Sequence, residues 1–447
     1  MASESYWTLR VELVVEITMP RHASLFYVLV LAFWRFQSLS AASLFTAVLE
    51  AVQERARAQL QASHPGRFRD KGGRVRRWRL PFGEACIRLC KLLDKETGHV
   101  VWPLKLVMDL PARVRWCEAA LLPGYRLAVI QSFRQSRKAL QGMVPDGSAP
   151  SVSTLHRRFQ GFASQLDPLP DPGEGDAAAS WPYRLADGTK LKLQHKGFDA
   201  GVADMRLVVG SRTPSGPLEV LDFSIGESWE DIGQRVDQRF SQAKVLVSDG
   251  EEHIPRALAG PDTRHQRCLV HARRGLPFAL YRDGCKKAQR RAIEEAFHRI
   301  PGLQLCQAEM ARLDPGDRAA LQDLLAASER AFAEIQEILP EDAFPHTRRY
   351  VLGLIEDGLA YLRHLLDTGE KVLLSTNRLE SILSRVVLRL KRIGRRWSVT
   401  GAIHMLAACL VYALHPQRYA EVEAAVRGEH CPGVSILITS LKAAWST

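Results

Sequence analysis

No stretch of this chain is apolar for long enough to cross a bilayer. The longest run near the N-terminus, Ala23 to Trp34, falls short of the roughly 20 residues that a spanning helix needs. Glu12 and Glu16 precede it and no small-residue cleavage site follows promptly, so a buried core helix is predicted there rather than a secretion signal. A disulfide framework is missing as well: eight cysteines lie scattered over 447 residues, a pattern that fits a reducing cytoplasm. Cys86 and Cys90 form one Cys-x-x-x-Cys pair, but no second pair follows at zinc-module spacing. No internal repeat is evident. Acidic residues are in deficit, 49 Asp and Glu against 61 Lys and Arg, for a formal charge of +12. That balance favours polyanionic partners, nucleic acid ahead of anionic membrane, without by itself requiring either. Apolar residues, by contrast, make up 46% of the chain, enough for a large core divided over roughly two to four folded units. The first twenty residues carry little pattern, and Met19 is a second candidate start.

Residues 1–65 are predicted as a helical region, with Leu44, Val48, Leu49, Val52 and Leu60 recurring on one side until His64-Pro65-Gly66 stops the helix. Residues 66–165 have the features of a DNA-binding region. Arg67, Arg69, Lys71, Arg74, Arg76, Arg77 and Arg79 are interleaved with Phe68 and Trp78, and β-formers from Gly73 to about Leu104 predict a small hairpin or meander. Helical patterning returns from about Pro111 to Gln141. It is followed by Ser151-Val-Ser-Thr-Leu-His-Arg-Arg-Phe159, which suits the second helix of a helix-turn-helix. Ser151 or Ser153 would cap it, Leu155 and Phe159 would face inward, and His156, Arg157 and Arg158 would face a major groove. The alternative is an ordinary capped helix with a solvated basic face. The Pro- and Gly-rich stretch 166–180 reads as a linker.

Beyond the linker the pattern changes to short strands, Trp181–Leu193, Ala203–Val209 and Pro217–Ser224. A helix over about Trp229–Gln242, a compact strand Ala243–Ser248, a short helix and a strand near Arg264–Val270 complete the segment 181–272. Three strands, helix, strand, helix, strand is the order expected of an α/β fold with an RNase H-like mixed sheet and flanking helices. Residues 273–370 are almost wholly helical and predict an all-α insertion domain. Residues 371–415 would then return to the core with a further helix, leaving 416–447 as a C-terminal tail.

Asp187 falls within or at the end of the first of these strands, and Asp249 closes the Val-Leu-Val-Ser run where a parallel strand meets its loop. Strand ends are where ligands collect in open α/β sheets. Two carboxylates there suit Mg²⁺, and two ions about 4 Å apart activate an attacking oxygen and stabilise a leaving one. Glu380 is the candidate third acid. Leu379, Ile382, Leu383, Val386 and Leu390 take the buried side of its helix, and Asn377, Glu380 and Ser384 share an adjacent stripe. Asn377 is placed to orient the carboxylate or touch phosphate. Taken singly, each acid has an ordinary explanation as a turn aspartate or a solvated glutamate.

Together, Ala186-Asp-Gly-Thr189, Val247-Ser-Asp-Gly-Glu-Glu-His-Ile254, Cys268-Leu-Val-His271 and Asn377-Arg-Leu-Glu380 resemble the DDE transposases of bacterial insertion sequences, in the Mutator-like group. Gly394-Arg-Arg-Trp-Ser-Val-Thr-Gly401 is similar to the Trp-containing stretch after the catalytic helix in that family, and the likeness covers roughly 180–415. The long interval from Asp249 to Glu380 resembles the subgroup with an inserted domain. The resemblance implies that Asp187, Asp249 and Glu380 are the catalytic metal ligands for two Mg²⁺ ions, with Mn²⁺ as a substitute. It also implies that Cys268 and His271 lie close to the site. A buried thiol and a satisfied core histidine are the plain alternative for that pair, and two donors leave tetrahedral zinc half-filled. The partners implied are double-stranded DNA, at transposon ends and at a target, and further copies of the chain in a homodimer or larger assembly. The implied location is a bacterial cytoplasm, at the nucleoid.

After Glu380 come Arg385, Arg389, Lys391, Arg392, Arg395 and Arg396, ending at Trp397. Arg385, Arg389 and Arg392 recur at helical spacing, so one positive face is predicted to grip phosphates. Trp397 either stacks on an unpaired base or packs under the Gly394 turn. Arg282, Lys286, Lys287, Arg290 and Arg291 form a second basic cluster, either a DNA track or a solvated helical face. The activity expected is cleavage at transposon ends and strand transfer into target DNA. Two alternatives stay open: a co-opted DNA-binding protein that no longer cuts, and a nuclease that cuts without joining.

Overall fold

The computed structural model describes residues 25–108, 115–144, 149–170, 181–194, 201–393 and 396–427, with side chains from Ser40 onward. Residues 1–24, most of the expected linker and the end of the C-terminal tail lie outside the described residues. The described chain divides into two compact units, one within 1–161 and 420–447, the other 162–419. The sequence had placed the division at the linker 166–180.

In the first unit the helix Leu25–Ser63 is followed by β1 (Phe68–Leu80), β2 (Gly83–Asp94) and the short β3 (Val100–Val101), in a three-stranded antiparallel sheet. β1 starts at Phe68, ahead of the expected Gly73. The register slips between Asp70 and Gly73. Gly72 takes φ +81°, and a Cβ at Gly73 would stand 2.9 Å from both Arg88 Cγ and the Leu89 carbonyl, so the bulge needs these glycines. Trp78, Leu80, Ala85, Ile87 and Leu89 form a core with Leu49 of the long helix and Leu104. Buried Gln53 ties that helix to the sheet: its Nε2 donates to the Arg88 carbonyl (3.1 Å), and its Oε1 accepts from the Cys90 amide (2.8 Å). The expected helical run from 111 to 141 is two helices, Glu118–Ile130 and Phe133–Met143. Ser132 breaks it, forming a reciprocal capping box with Gln135. Tyr125 and Phe133 meet Phe159 of the helix Val152–Ala163 edge to face, with centroids 5.8 and 5.5 Å apart.

The second unit is built on β4 (Tyr183–Lys192), β5 (Val202–Ser211), β6 (Glu219–Ile225), β7 (Val245–Ser248) and β8 (Arg264–Arg267), in spatial order β6-β5-β4-β7-β8. β5 runs antiparallel to both its neighbours, while β4, β7 and β8 are mutually parallel. Ala186, Val208, Leu221 and Leu246 join Trp229, Ile232, Val236, Ile254 and Leu258 in one core. Those partners come from the helices Trp229–Arg239 and His253–Leu258. The two helices cross closely at Gly233, where a Cβ would lie 2.1 Å from the Ala257 carbonyl oxygen.

β8 stops at Arg267, short of the expected Val270. The Cys268 amide donates to the Ser248 carbonyl (2.7 Å), and the next amide, Leu269, donates instead to the Leu374 carbonyl (2.9 Å). The chain thus leaves the sheet and starts the helix Leu269–Arg282. From there to Thr368 the described residues hold helices and no strand. An extended run then leads into the helix Asn377–Val387, which continues into a turn of π-helix, Leu388–Arg392, before the helix Val399–Leu414. Among the described residues no single helix is long and apolar enough to cross a membrane.

Candidate active site

The site forms where β4 and β7 lie side by side. Ala186 pairs with Ser248, so the next residues along these parallel strands, Asp187 and Asp249, are neighbours. Asp187 is buried (7% exposed) and its Oδ1 accepts from the Gly188 amide (2.7 Å). Asp249 ends its strand in a turn: its Oδ1 accepts from the Glu251 amide (3.0 Å), and Gly250 follows at φ +97°. A Cβ on Gly250 would meet only the guanidinium end of Arg267, 2.2 Å from Nε, which can swing aside, so it is the positive φ that calls for glycine there. Burial first, and then the charge of Asp249, push the Asp187 carboxyl up to about 6, with Glu380 adding to the effect.

Glu380 arrives from far along the chain on the first turn of the helix Asn377–Val387. Three contacts fix its approach. The Leu374 carbonyl is held by the Leu269 amide, the Thr376 amide donates to Cys268 Sγ (3.4 Å), and the Thr376 hydroxyl donates to Glu380 Oε1 (3.2 Å). Gln307, in the helical insert, holds the same run from its other side, accepting from the Leu374 amide (3.0 Å) and donating to the Val372 carbonyl (3.3 Å).

Cys268 is fully buried at the cap of the helix Leu269–Arg282, and His271 stands on its first turn, with Nδ1 3.7 Å from Glu380 Oε1. The sulfur of Cys268 beside it raises the His271 imidazole to about 9 against the effect of burial, with Glu380 and Asp187 contributing. Burial alone would raise the Cys268 thiol, but the hydrogen bonds from His271 and Thr376 outweigh it and lower it. One ligand atom from each of Cys268, His271 and Glu380 lies within 4.8 Å of the other two. The structure therefore brings together Asp187, Asp249, Glu380, Cys268 and His271. Asn377 opens the helix in an exposed position.

Several residues expected to contact DNA are placed otherwise. Arg389 is buried (1% exposed), with its guanidinium 5.1 Å from the ring centre of Trp397. It sits three residues after buried Val386, at the edge of the apolar stripe that the π-turn continues. Trp397 is itself buried. Its Nε1 donates to the Leu390 carbonyl (3.2 Å) and its own carbonyl accepts from the Gln194 amide (2.8 Å), so packing rather than base stacking is its role. Arg385, Arg392 and Arg396 are exposed, and Arg395 lies outside the described residues. Lys391 donates to Thr189, two residues from Asp187 on β4. In the first unit Arg157 is exposed, whereas Arg158 pairs with Glu118 and His156 meets the Phe133 ring edge-on at 4.9 Å. The outward face expected there is thus reduced to Arg157. Arg74 and Arg77 on β1 are exposed, and Arg76 lies over the Trp78 ring at 6.0 Å.

Two sets of residues had escaped notice in the sequence. Arg88 on β2 is exposed and pairs in register with exposed Val75, beside the Arg77–Cys86 pair. More informative is the helix that begins at Cys268. Helical periodicity puts Arg274, Phe278 and Tyr281 on the same face as His271, and Phe278 and Tyr281 are 73% and 81% exposed.

No family model and no curated protein matches the chain. Among solved structures, a chain of the Drosophila P element transposase strand transfer complex is similar at a TM-score of 0.37 and 10% identity, over 71% of this chain and 96% of that chain.

Proposed function

We propose that this protein is a Mg²⁺-dependent DNA transposase of the DDE type, with an RNase H-like core interrupted by a helical insert. The observation that carries the reading is the meeting of Asp187, Asp249 and Glu380, two from adjacent strands and one from a helix far along the chain. The five-stranded order with β5 alone reversed is the arrangement expected of such a core. Three carboxylates, one of them the buried Asp187, suit a hard cation when gathered together, since clustered like charges are costly to bury without a counter-charge. Two bound Mg²⁺ ions would supply activation of the attacking oxygen and stabilisation of the leaving one.

The protein's own residues position and neutralise. Asp187 and Asp249 hold fixed places in the sheet, and Thr376 orients Glu380 through its hydroxyl. His271 stands against the carboxylates as the first member of a face that continues with Arg274, Phe278 and Tyr281. Arg385 and Arg392 meet backbone phosphates, and Phe278 and Tyr281 offer rings to bases. Water attacks a phosphodiester at the element's end, leaving a 3′-hydroxyl and a 5′-phosphate. That hydroxyl then attacks a target phosphodiester, so one phosphate ester forms as another breaks and a target 3′-hydroxyl is released. No covalent link to the protein is needed. The DNA ends are held by two or more copies of the chain.

The test is a cleavage and strand-transfer assay with purified protein, Mg²⁺ and DNA carrying the ends of the encoding element. Asp187→Asn and Glu380→Gln are expected to reduce both products to background while DNA binding is retained. Undiminished cutting by either variant overturns the reading. Cutting without joining would make the protein a nuclease.

A further inference from the structure

Cys268, His271 and Glu380 have a donor chemistry that the two-Mg²⁺ reading leaves unused. We propose that these three side chains form a second, soft-metal site that takes a single Zn²⁺ with one coordination position open, and that this site competes with the acid cluster for Glu380. Thiolate and imidazole favour Zn²⁺ over Mg²⁺, and three protein ligands with an open fourth position is an ordinary zinc arrangement. Cys268 and His271, three positions apart in sequence, leave a tetrahedral site half-filled. Glu380, remote in the chain, supplies the third.

The geometry is close to what zinc requires. Ordinary zinc bond lengths in a tetrahedron separate neighbouring ligand atoms by about 3.4–3.6 Å. His271 Nδ1 and Glu380 Oε1 are already 3.7 Å apart, and the whole set lies within 4.8 Å. Closing the site therefore takes a movement of about an ångström. His271 Nδ1 is buried and makes no hydrogen bond, although it lies 3.7 Å from the carboxylate, so it is a polar atom with a ligand's place open before it. Around these ligands a supporting shell is already built: the Thr376 amide is directed at Cys268 Sγ and the Thr376 hydroxyl at Glu380. Cys268 itself is fixed in the backbone between β8 and its helix, with no exposed surface.

The competition with Mg²⁺ rests on the acid-site reading above, but the zinc site does not. The probe that separates them is Co²⁺ alone, added to the full-length protein as a spectroscopic substitute for Zn²⁺. The expected result is one equivalent of Co²⁺ with a near-ultraviolet thiolate-to-metal band and the visible bands of a four-coordinate site, displaced by Zn²⁺ and weakened, with the band retained at saturating Co²⁺, by excess Mg²⁺ that draws on Glu380. Cys268→Ser should abolish the thiolate band, and His271→Ala and Glu380→Gln should each weaken binding by roughly tenfold or more. Circular dichroism of each variant verifies that it is folded. Asp187→Asn, which removes a neighbouring charge but no ligand of this site, should keep the thiolate band and the one-to-one stoichiometry, so a failed acid-site reading leaves this result intact. Absence of the thiolate band in the folded protein, or its persistence in Cys268→Ser, overturns the proposal.

Discussion

Arg385 and Arg389 are one helical turn apart and have opposite environments, which separates two kinds of contribution from one residue type. Arg389 lies beneath Trp397, where a desolvated guanidinium over an indole contributes packing as well as charge–quadrupole attraction. Arg389→Ala is expected to lower stability by about 2 kcal/mol or more, seen as a reduced thermal midpoint. Arg385→Ala should leave that midpoint in place. It should instead weaken DNA binding uniformly across sequences and reduce the slope of log K against log salt by about one. Asp94 gives a residue-scale test by pH. Its carboxylate takes both forks of Arg67 (3.0 and 2.7 Å), and that hydrogen-bonded pairing holds it well below the usual carboxylate range. A depressed acid stabilises the fold above its unfolded value near about 3.9 and loses that contribution as pH falls towards its folded value. Asp94→Asn should therefore be less stable than the unaltered protein at pH 7. Urea melts should show the gap narrowing below about pH 4; a gap independent of pH would assign the effect to packing alone.

At the level of elements, the crossing of the helices Trp229–Arg239 and His253–Leu258 depends on the absence of one methyl group. Gly233→Ala puts a Cβ into the Ala257 carbonyl, and the expected cost is about 1–3 kcal/mol, read as a lower midpoint in chemical denaturation. Compensation by a helix-propensity gain would appear as a smaller loss. The strands of the second unit were legible in the sequence because each is a short apolar or alternating run bounded by turn residues, and β7 announces its end with Asp249-Gly250. The helix of Glu380 was legible from the spacing of Leu379, Ile382, Leu383 and Val386, all of which are buried. The end of β8 was not, because a non-local bond decides it: the Leu269 amide finds the Leu374 carbonyl more than a hundred residues away. The break at Ser132 was present in the sequence as a Ser-x-x-Gln capping signal, overridden by apolar periodicity that runs on through it. Arg389 was misassigned because charge is no guide to burial where an aromatic partner arrives from beyond the helix. The face shared by His271, Arg274, Phe278 and Tyr281 was available to periodicity. Reading β8 as far as Val270 concealed it, since His271 was then assigned to the end of the core segment and not to the helix that carries Arg274, Phe278 and Tyr281.

For the molecule as a whole, the proposed function together with the excess of basic residues predicts an affinity for DNA that falls steeply with salt. Phe278→Ala and Tyr281→Ala are expected to act differently from loss of a phosphate contact. Each should cost about 1–3 kcal/mol on DNA with an unpaired end, with an unchanged salt slope and little effect on intact duplex. Equal losses on both substrates, measured by fluorescence anisotropy, would exclude stacking. The grip of Gln307 on the run at Val372 and Leu374 has a wider consequence. The last amide before Thr376 that this glutamine holds belongs to the same run that delivers Glu380. Were a molecule bound to the helical insert to draw Gln307 aside and shift this run with it, the position of that glutamate would change too, and cation loading and occupancy of the insert would then be thermodynamically linked. Whatever factor one imposes on the affinity of the other is returned in equal measure.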